Sequence, residues 1–147
     1  MRNQTLRPAK TVEWETPQAV FDKLDAEFGF TLDAAASEEN HKCARYYTEA
    51  ENGLRQSWQG ERVFLNPPYG RELAAWVEKA FDEVYRRWCP LVVMLLPARV
   101  DTQWFHRYLY HRAEVRFVEG RLKFGNTNTN APFASMIAIL RNPRIGG

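Results

Sequence analysis

Asn66-Pro67-Pro68-Tyr69 is the stretch of this 147-residue chain whose residue types most directly suggest chemistry. It closes the apolar run Val63-Phe64-Leu65 and is followed at once by Gly70. Two consecutive prolines lack N–H groups and have fixed φ, so a strand must stop there. The result is a rigid platform at a strand's carboxyl end, where open α/β sheets hold their ligands. It offers the Asn66 amide, carbonyl oxygens facing no proline N–H, and the Tyr69 ring for a flat substrate. Such a set suits gripping an exocyclic amino group. Two more strand ends gather unusual residues: Asp33 with Ala34, Ala35, Ala36 and Ser37, and Pro97 to Arg99. Parallel strands would bring all three to one edge and one crevice.

The elements that must position these groups follow from periodicity. Thr16 is placed to cap a helix with Pro17 at its first position, and Val20, Phe21, Leu24 and Phe28 continue it until Gly29. Phe30-Thr31-Leu32 reads as a strand, Glu38 to Cys43 as a short helix, and Ala44 to Thr48 as a second strand followed by Glu49 and Glu51. The polar stretch Asn52 to Glu61, interrupted by Trp58, reads as loop. Residues 73–88 keep the i, i+3, i+4, i+7 spacing throughout, with Glu83 and Arg87 as an exposed i, i+4 pair. Leu91 to Leu96 is uninterruptedly apolar, as in a strand covered on both faces. Thr102 to His111 predicts a helix, Glu114 to Phe124 a strand, Gly125 to Asn130 a turn or exposed loop, and Ser135 to Leu140 the last strand. Alternating strands and helices predict an α/β fold with a mostly parallel central sheet and helices on both faces.

Length and 45% hydrophobic composition fit one minimal domain. The expected divisions are a flexible basic arm over 1–13, the domain over 14–141 and a tail over 142–147. No signal-peptide pattern and no membrane-length apolar run is visible, which points to the cytoplasm. Cys43 and Cys89 read as reduced packing residues. A net charge of +2 permits a nucleic-acid partner without requiring one. His41, His106 and His111 lack metal-ligand spacing, so no metal is expected.

Trp14-Glu15-Thr16-Pro17, Leu32-Asp33-x-Ala35, Asn66-Pro67-Pro68-Tyr69-Gly70, Leu96-Pro97-Ala98-Arg99 and Gly120-Arg121-Leu122-Lys123-Phe124 stand in this order. In this the chain resembles phage-encoded DNA adenine N6-methyltransferases, over roughly residues 14 to 140. The resemblance implies a Rossmann-like, S-adenosylmethionine-dependent methyltransferase fold, double-stranded DNA as partner, and a phage or prophage origin in a bacterial cytoplasm. It implies catalysis by Asn66, Pro67, Pro68 and Tyr69. The Asn66 oxygen and Pro67 carbonyl would accept the two N6 hydrogens, and Tyr69 would stack on an adenine swung out of the duplex.

By the same resemblance, Thr16, Pro17, Asp33, Ala34 and Ala35 would hold the cofactor, with Asp33 accepting from its ammonium. Nucleotide-binding α/β folds place an acid on the ribose after the second strand, which nominates Glu49 and then Glu51. Ser57 stands where relatives tend to carry an aspartate toward the cofactor's adenine, so weaker cofactor binding is expected. A second departure is the absence of glycine from Asp33 to Ser37. Arg71, Arg99, Arg121 and Lys123 are the phosphate-neutralising candidates. The same platform would fit a protein glutamine or an RNA base, and a non-catalytic DNA-binding relic is the rival of another class.

Overall fold

Among the described residues, seven regular elements follow one another: α1 (Gln18–Phe28), β1 (Leu32–Asp33), β2 (Arg62–Leu65), α2 (Leu73–Arg86), β3 (Leu91–Pro97), β4 (Glu114–Phe117) and β5 (Ser135–Arg141). A short 3-10 turn, Gly53–Arg55, precedes β2, and a π-helical turn, Phe105–Leu109, precedes β4. The computed structural model describes residues 14–125, 127 and 129–145; the expected basic arm over 1–13 lies outside the described residues. Among them, no helix is long and apolar enough to cross a membrane.

The strands form one sheet in the order β1-β2-β3-β5-β4. β1, β2 and β3 are parallel, in the register Asp33 to Phe64 and Leu65 to Met94. β5 runs antiparallel to both β3 and β4. The sheet is therefore mixed, where the sequence suggested a mostly parallel one. An apolar run buried on both faces does not encode strand direction. The helix-free stretch from β4 to β5 allows an antiparallel return, because parallel neighbours need a long crossover.

Alternation along the strands sends side chains to two cores. Val63, Leu65, Val92, Met94, Leu96, Met136, Ala138 and Leu140 join Trp76, Val77, Ala80 and Val84 of α2, with Phe105 and Leu109. Phe64, Val93, Leu95, Ile137 and Ile139 belong to the other cluster, with Phe21, Leu24 and Phe28 of α1. Helical segments thus cover both faces, as expected. Each of the three α1 side chains contributes about 1.5–3 kcal/mol by leaving water. β3 is buried at all seven positions, as its uninterrupted apolar run requires.

Local differences have physical causes. Thr16 does not cap α1: Pro17 occupies the N-cap, no side chain caps the helix, and the Thr16 hydroxyl is engaged elsewhere. Gly29 ends α1 in the left-handed region at φ 65°. Residues 38–43 form bends instead of a short helix. The expected strand at 44–48 contracts to a single parallel bridge from Tyr46 to Asp33. The strand expected to reach Phe124 stops at Phe117, after which Phe124 turns into the α1-side core. Asn142 is buried and donates from Nδ2 to Val84 O at 2.8 Å.

Glu83 departs most from its expected role. It is 1% exposed and pairs with Lys79 at 2.7 Å, not with Arg87 on the surface. Its Oε1 also accepts from Trp58 N at 3.1 Å, while Lys79 Nζ donates to Gln56 O at 2.6 Å. These contacts tie the stretch before β2 to α2. Removing one partner from such a buried pair strands the other charge, a loss of about 3–5 kcal/mol. Urea unfolding of Glu83→Ala is expected to show a destabilisation of that size; a loss below about 1 kcal/mol would assign the pair the weight of an ordinary surface ion pair.

Candidate active site

β1 and β2 end side by side, and a crevice of about 420 Å³ opens at their carboxyl ends. That volume lies within the roughly 300–1,000 Å³ range of small-molecule sites. Its walls come from the 33–37 loop, Thr16, Glu49, Gly53, Leu54, Asn66 to Pro68 and Trp76. Two of the three expected strand ends therefore meet there. The third does not: β3 lies one strand farther along, and Pro97, Ala98 and Arg99 are absent from the lining. Its end is tied instead to the β5 side, through Ala98 N to Ala134 O at 2.8 Å.

Asn66 leaves the end of β2 with its amide held in one orientation. Nδ2 donates to the Trp14 carbonyl and to Thr16 Oγ1, the latter at 2.9 Å. A carbonyl can only accept, so the nitrogen must face Trp14 and the oxygen must face away. Asn66 Oδ1 is buried and has no hydrogen-bond partner among the described residues. Pro67 is buried as well, and its carbonyl likewise receives no hydrogen bond from a described residue. Two neighbouring acceptors at one strand end thus stand without donors. A buried polar atom left unpaired costs about 1–3 kcal/mol, so it calls for an explanation.

The loop that follows β1 is closely packed. Asp33 is 4% exposed; its carboxylate accepts from Lys42 N at 2.8 Å and Ala35 N at 3.4 Å, which orders the loop between them. Burial raises its pKa above the ordinary aspartate value, with the two amides opposing that shift. The loop needs no glycine of its own, because the close approach comes from across the crevice. A Cβ on Gly53 would overlap the Ala34 carbonyl oxygen and crowd the Trp76 ring at 3.1 Å. Glu49 lines the crevice, exposed and without an ion-pair or hydrogen-bond partner among the described residues. Glu51 is committed to Thr48, accepting from its N at 2.6 Å and its Oγ1 at 2.7 Å. Glu49 is the carboxylate left available.

Several candidates sit elsewhere. The Tyr69 ring is 6% exposed and packs edge-on to Phe133 at 5.5 Å, while its hydroxyl donates to Leu95 O at 3.0 Å. In this structure it caps the core and is absent from the crevice lining, and burial pushes its phenol pKa up. The expected stacking face is therefore already occupied. Ser57 is exposed outside the crevice, its hydroxyl accepting from Gln59 N at 3.1 Å. The Glu83 contact to Trp58 turns that segment toward α2, and Ser57, which the resemblance set toward the cofactor, does not line the crevice. Pro17 starts α1 and does not line the crevice, whereas Thr16, Asp33, Ala34, Ala35, Asn66, Pro67 and Pro68 do.

Arg71, Arg99 and Lys123 are exposed, and none forms an ion pair among the described residues. Arg121 is exposed and donates weakly to Ala131 O at 3.4 Å. Both cysteines are free, with burial pushing each thiol up to about 12. Sequence reasoning missed Gly53, Leu54 and Trp76. One signal was present: a helix beginning seven residues after Asn66 must set an inward residue of its first turn near the platform.

A family model described as DNA N-6-adenine-methyltransferase (Dam) matches residues 3–143. A DNA N-6-adenine-methyltransferase of Escherichia phage T1 is 38% identical over 111 residues, covering 74% of this chain and 45% of that protein. One of Haemophilus phage HP1 is 32% identical over 119 residues, covering 79% of this chain and 68% of that protein. The chain thus spans less than half the length of the first relative and about two thirds of the second.

The raised Asp33 pKa has a measurable consequence. An unfolded aspartate loses its proton near pH ~3.9, whereas folded Asp33 keeps its proton to higher pH. Stability from this group is complete below the unfolded value and is lost as pH rises through the folded one. Urea unfolding of wild type and Asp33→Asn from pH ~4 to ~7 is expected to show wild type losing stability relative to the variant. Parallel profiles would mean that the loop amides fully offset burial.

Proposed function

Because the chain belongs to the DNA N-6-adenine-methyltransferase family, we propose that it methylates the N6 amino group of adenine in DNA, with S-adenosylmethionine as donor. The observation that carries this reading is the buried, partnerless Asn66 Oδ1, fixed in orientation by Trp14 and Thr16. An acceptor locked beside a second free acceptor, the Pro67 carbonyl, matches a group bearing two N–H donors. The described unit then serves as a minimal Rossmann-like methyltransferase domain over 14–141, working in a host cytoplasm.

The residues present fit the cofactor. Thr16, Asp33, Ala34, Ala35 and Glu49 surround a crevice of suitable volume. The Asp33 carboxylate would meet the ammonium, and the unpartnered Glu49 would meet the ribose hydroxyls. When bound, the cofactor supplies an already activated sulfonium methyl.

The chain's own contribution is to prepare the acceptor nitrogen. Adenine N6 is a poor nucleophile because its lone pair is delocalised into the ring. Asn66 Oδ1 and the Pro67 carbonyl accept its two hydrogens, draw the nitrogen toward tetrahedral geometry and free the lone pair. Positive charge develops on N6 during transfer, the two fixed oxygens stabilise it without reorganising, and one N6 proton then passes to water to leave neutral N6-methyladenine. Holding donor and acceptor in line supplies the rest. Tyr69 acts as a positioning residue, its hydroxyl anchoring the platform to the Leu95 carbonyl of β3. Asn66 Oδ1 is sealed from solvent, so an adenine leaving the stack must displace side chains now around it. Arg71, Arg99, Arg121 and Lys123 provide exposed cations for the DNA phosphates.

Asn66→Ala is expected to lower single-turnover methyl transfer to DNA by about 100-fold or more, with cofactor affinity changed only a few-fold. Rapid-quench transfer assays and calorimetry check the two halves. Undiminished transfer would remove Asn66 from the reaction.

A further inference from the structure

The crevice lining holds a second side-chain orphan. Trp76 is 5% exposed, it lines the crevice, and its indole Nε1–H is buried without a partner among the described residues. Indole can only donate, so this hydrogen has no alternative role as an acceptor site. Its neighbour makes the omission specific. Trp58 lies 6.5 Å away with its ring 23° from parallel, and its own Nε1 donates to Gly53 O at 3.0 Å. One indole of the pair is satisfied by the protein, and the one lining the crevice is left unsatisfied. A phenylalanine would fill the same core position without burying an unpaired donor.

We propose that Trp76 is a cofactor-recognition residue, whose indole N–H, sealed from solvent in this structure, is uncovered as the crevice takes up S-adenosylmethionine and donates a hydrogen bond to one of its acceptor atoms. The inference rests on the cofactor reading above. S-adenosylmethionine carries a carboxylate, sugar oxygens and ring nitrogens, all able to accept. The wall is held for this purpose by contacts already described. Gly53 lets the Asn52–Leu54 segment approach the Trp76 ring, and Lys79 with Glu83 ties the following segment to α2. The lining residues of a single crevice thus hold one unpaired side-chain acceptor, on Asn66, and one unpaired side-chain donor, on Trp76.

Calorimetric titration of S-adenosylmethionine into wild type and Trp76→Phe, with thermal unfolding of both ligand-free proteins, tests this. The expected result is a dissociation constant about tenfold higher in the variant, with the ligand-free melting temperature unchanged or higher, since an unpaired donor has been removed. Equal affinity in the two proteins overturns the inference alone. A variant that melts lower and loses affinity only in proportion assigns Trp76 a packing role and also overturns it. No binding by wild type overturns the cofactor reading and this inference with it. A measurement on wild type covers a variant that fails to fold. The Trp76 indole proton resonance, linked through the ring spin system to the benzo-edge protons that lie against Gly53, is expected to move to lower field on cofactor addition, and an unmoved resonance counts against the contact.

Discussion

The hydrogen bonds from Asn66 Nδ2 to Trp14 and Thr16 fix which way an amide points, and much of the site depends on that choice. Turned by 180°, the amide would set its oxygen against the Trp14 carbonyl, two acceptors in contact, and would present a donor to the substrate position. The observed orientation leaves the oxygen free. Trp14 is itself held by Phe124 and Phe133, each ring centroid 5.3 Å away. Residues from the start, middle and end of the chain therefore converge on one side chain. Burial makes the arrangement costly to leave unpaired, and that cost favours any ligand able to supply the missing donor.

A second constraint shapes the crevice. The buried Lys79–Glu83 pair, on the same face of α2 as Trp76, acts through Trp58 and Gln56 to hold the segment that carries Gly53 and Leu54. Gly53 must then meet Ala34 and Trp76 without a Cβ between them. The glycine-free loop after β1 is thus compensated from a different part of the chain. Close approach is a property of the pair of surfaces, and either one can supply the missing volume.

The amphipathic helix, the fully buried strand and the platform's place at a strand end were legible in the sequence because each follows from local rules. Periodicity and two prolines suffice for them. Strand direction was not legible in the same way, since Ser135 to Leu140 is equally apolar whichever way it runs. Neither was the path of residues 52–58, which is set by contacts with Lys79 and Glu83 some 25 positions away. That is why Ser57 lies outside the crevice although Gly53 and Leu54 line it. Tyr69 shows a further limit: an aromatic at a strand end serves equally as platform or core cap, and its bond to Leu95 decides for the core in this structure.

The family assignment and the geometry meet on one atom, the free oxygen of Asn66. The most direct measurement is nucleoside mass spectrometry of DNA incubated with the protein and S-adenosylmethionine carrying a deuterated sulfonium methyl. The account predicts the deuterated methyl group on adenine N6. Label on cytosine, or no label on any base of adenine-containing duplex DNA while the protein binds the cofactor, would contradict it.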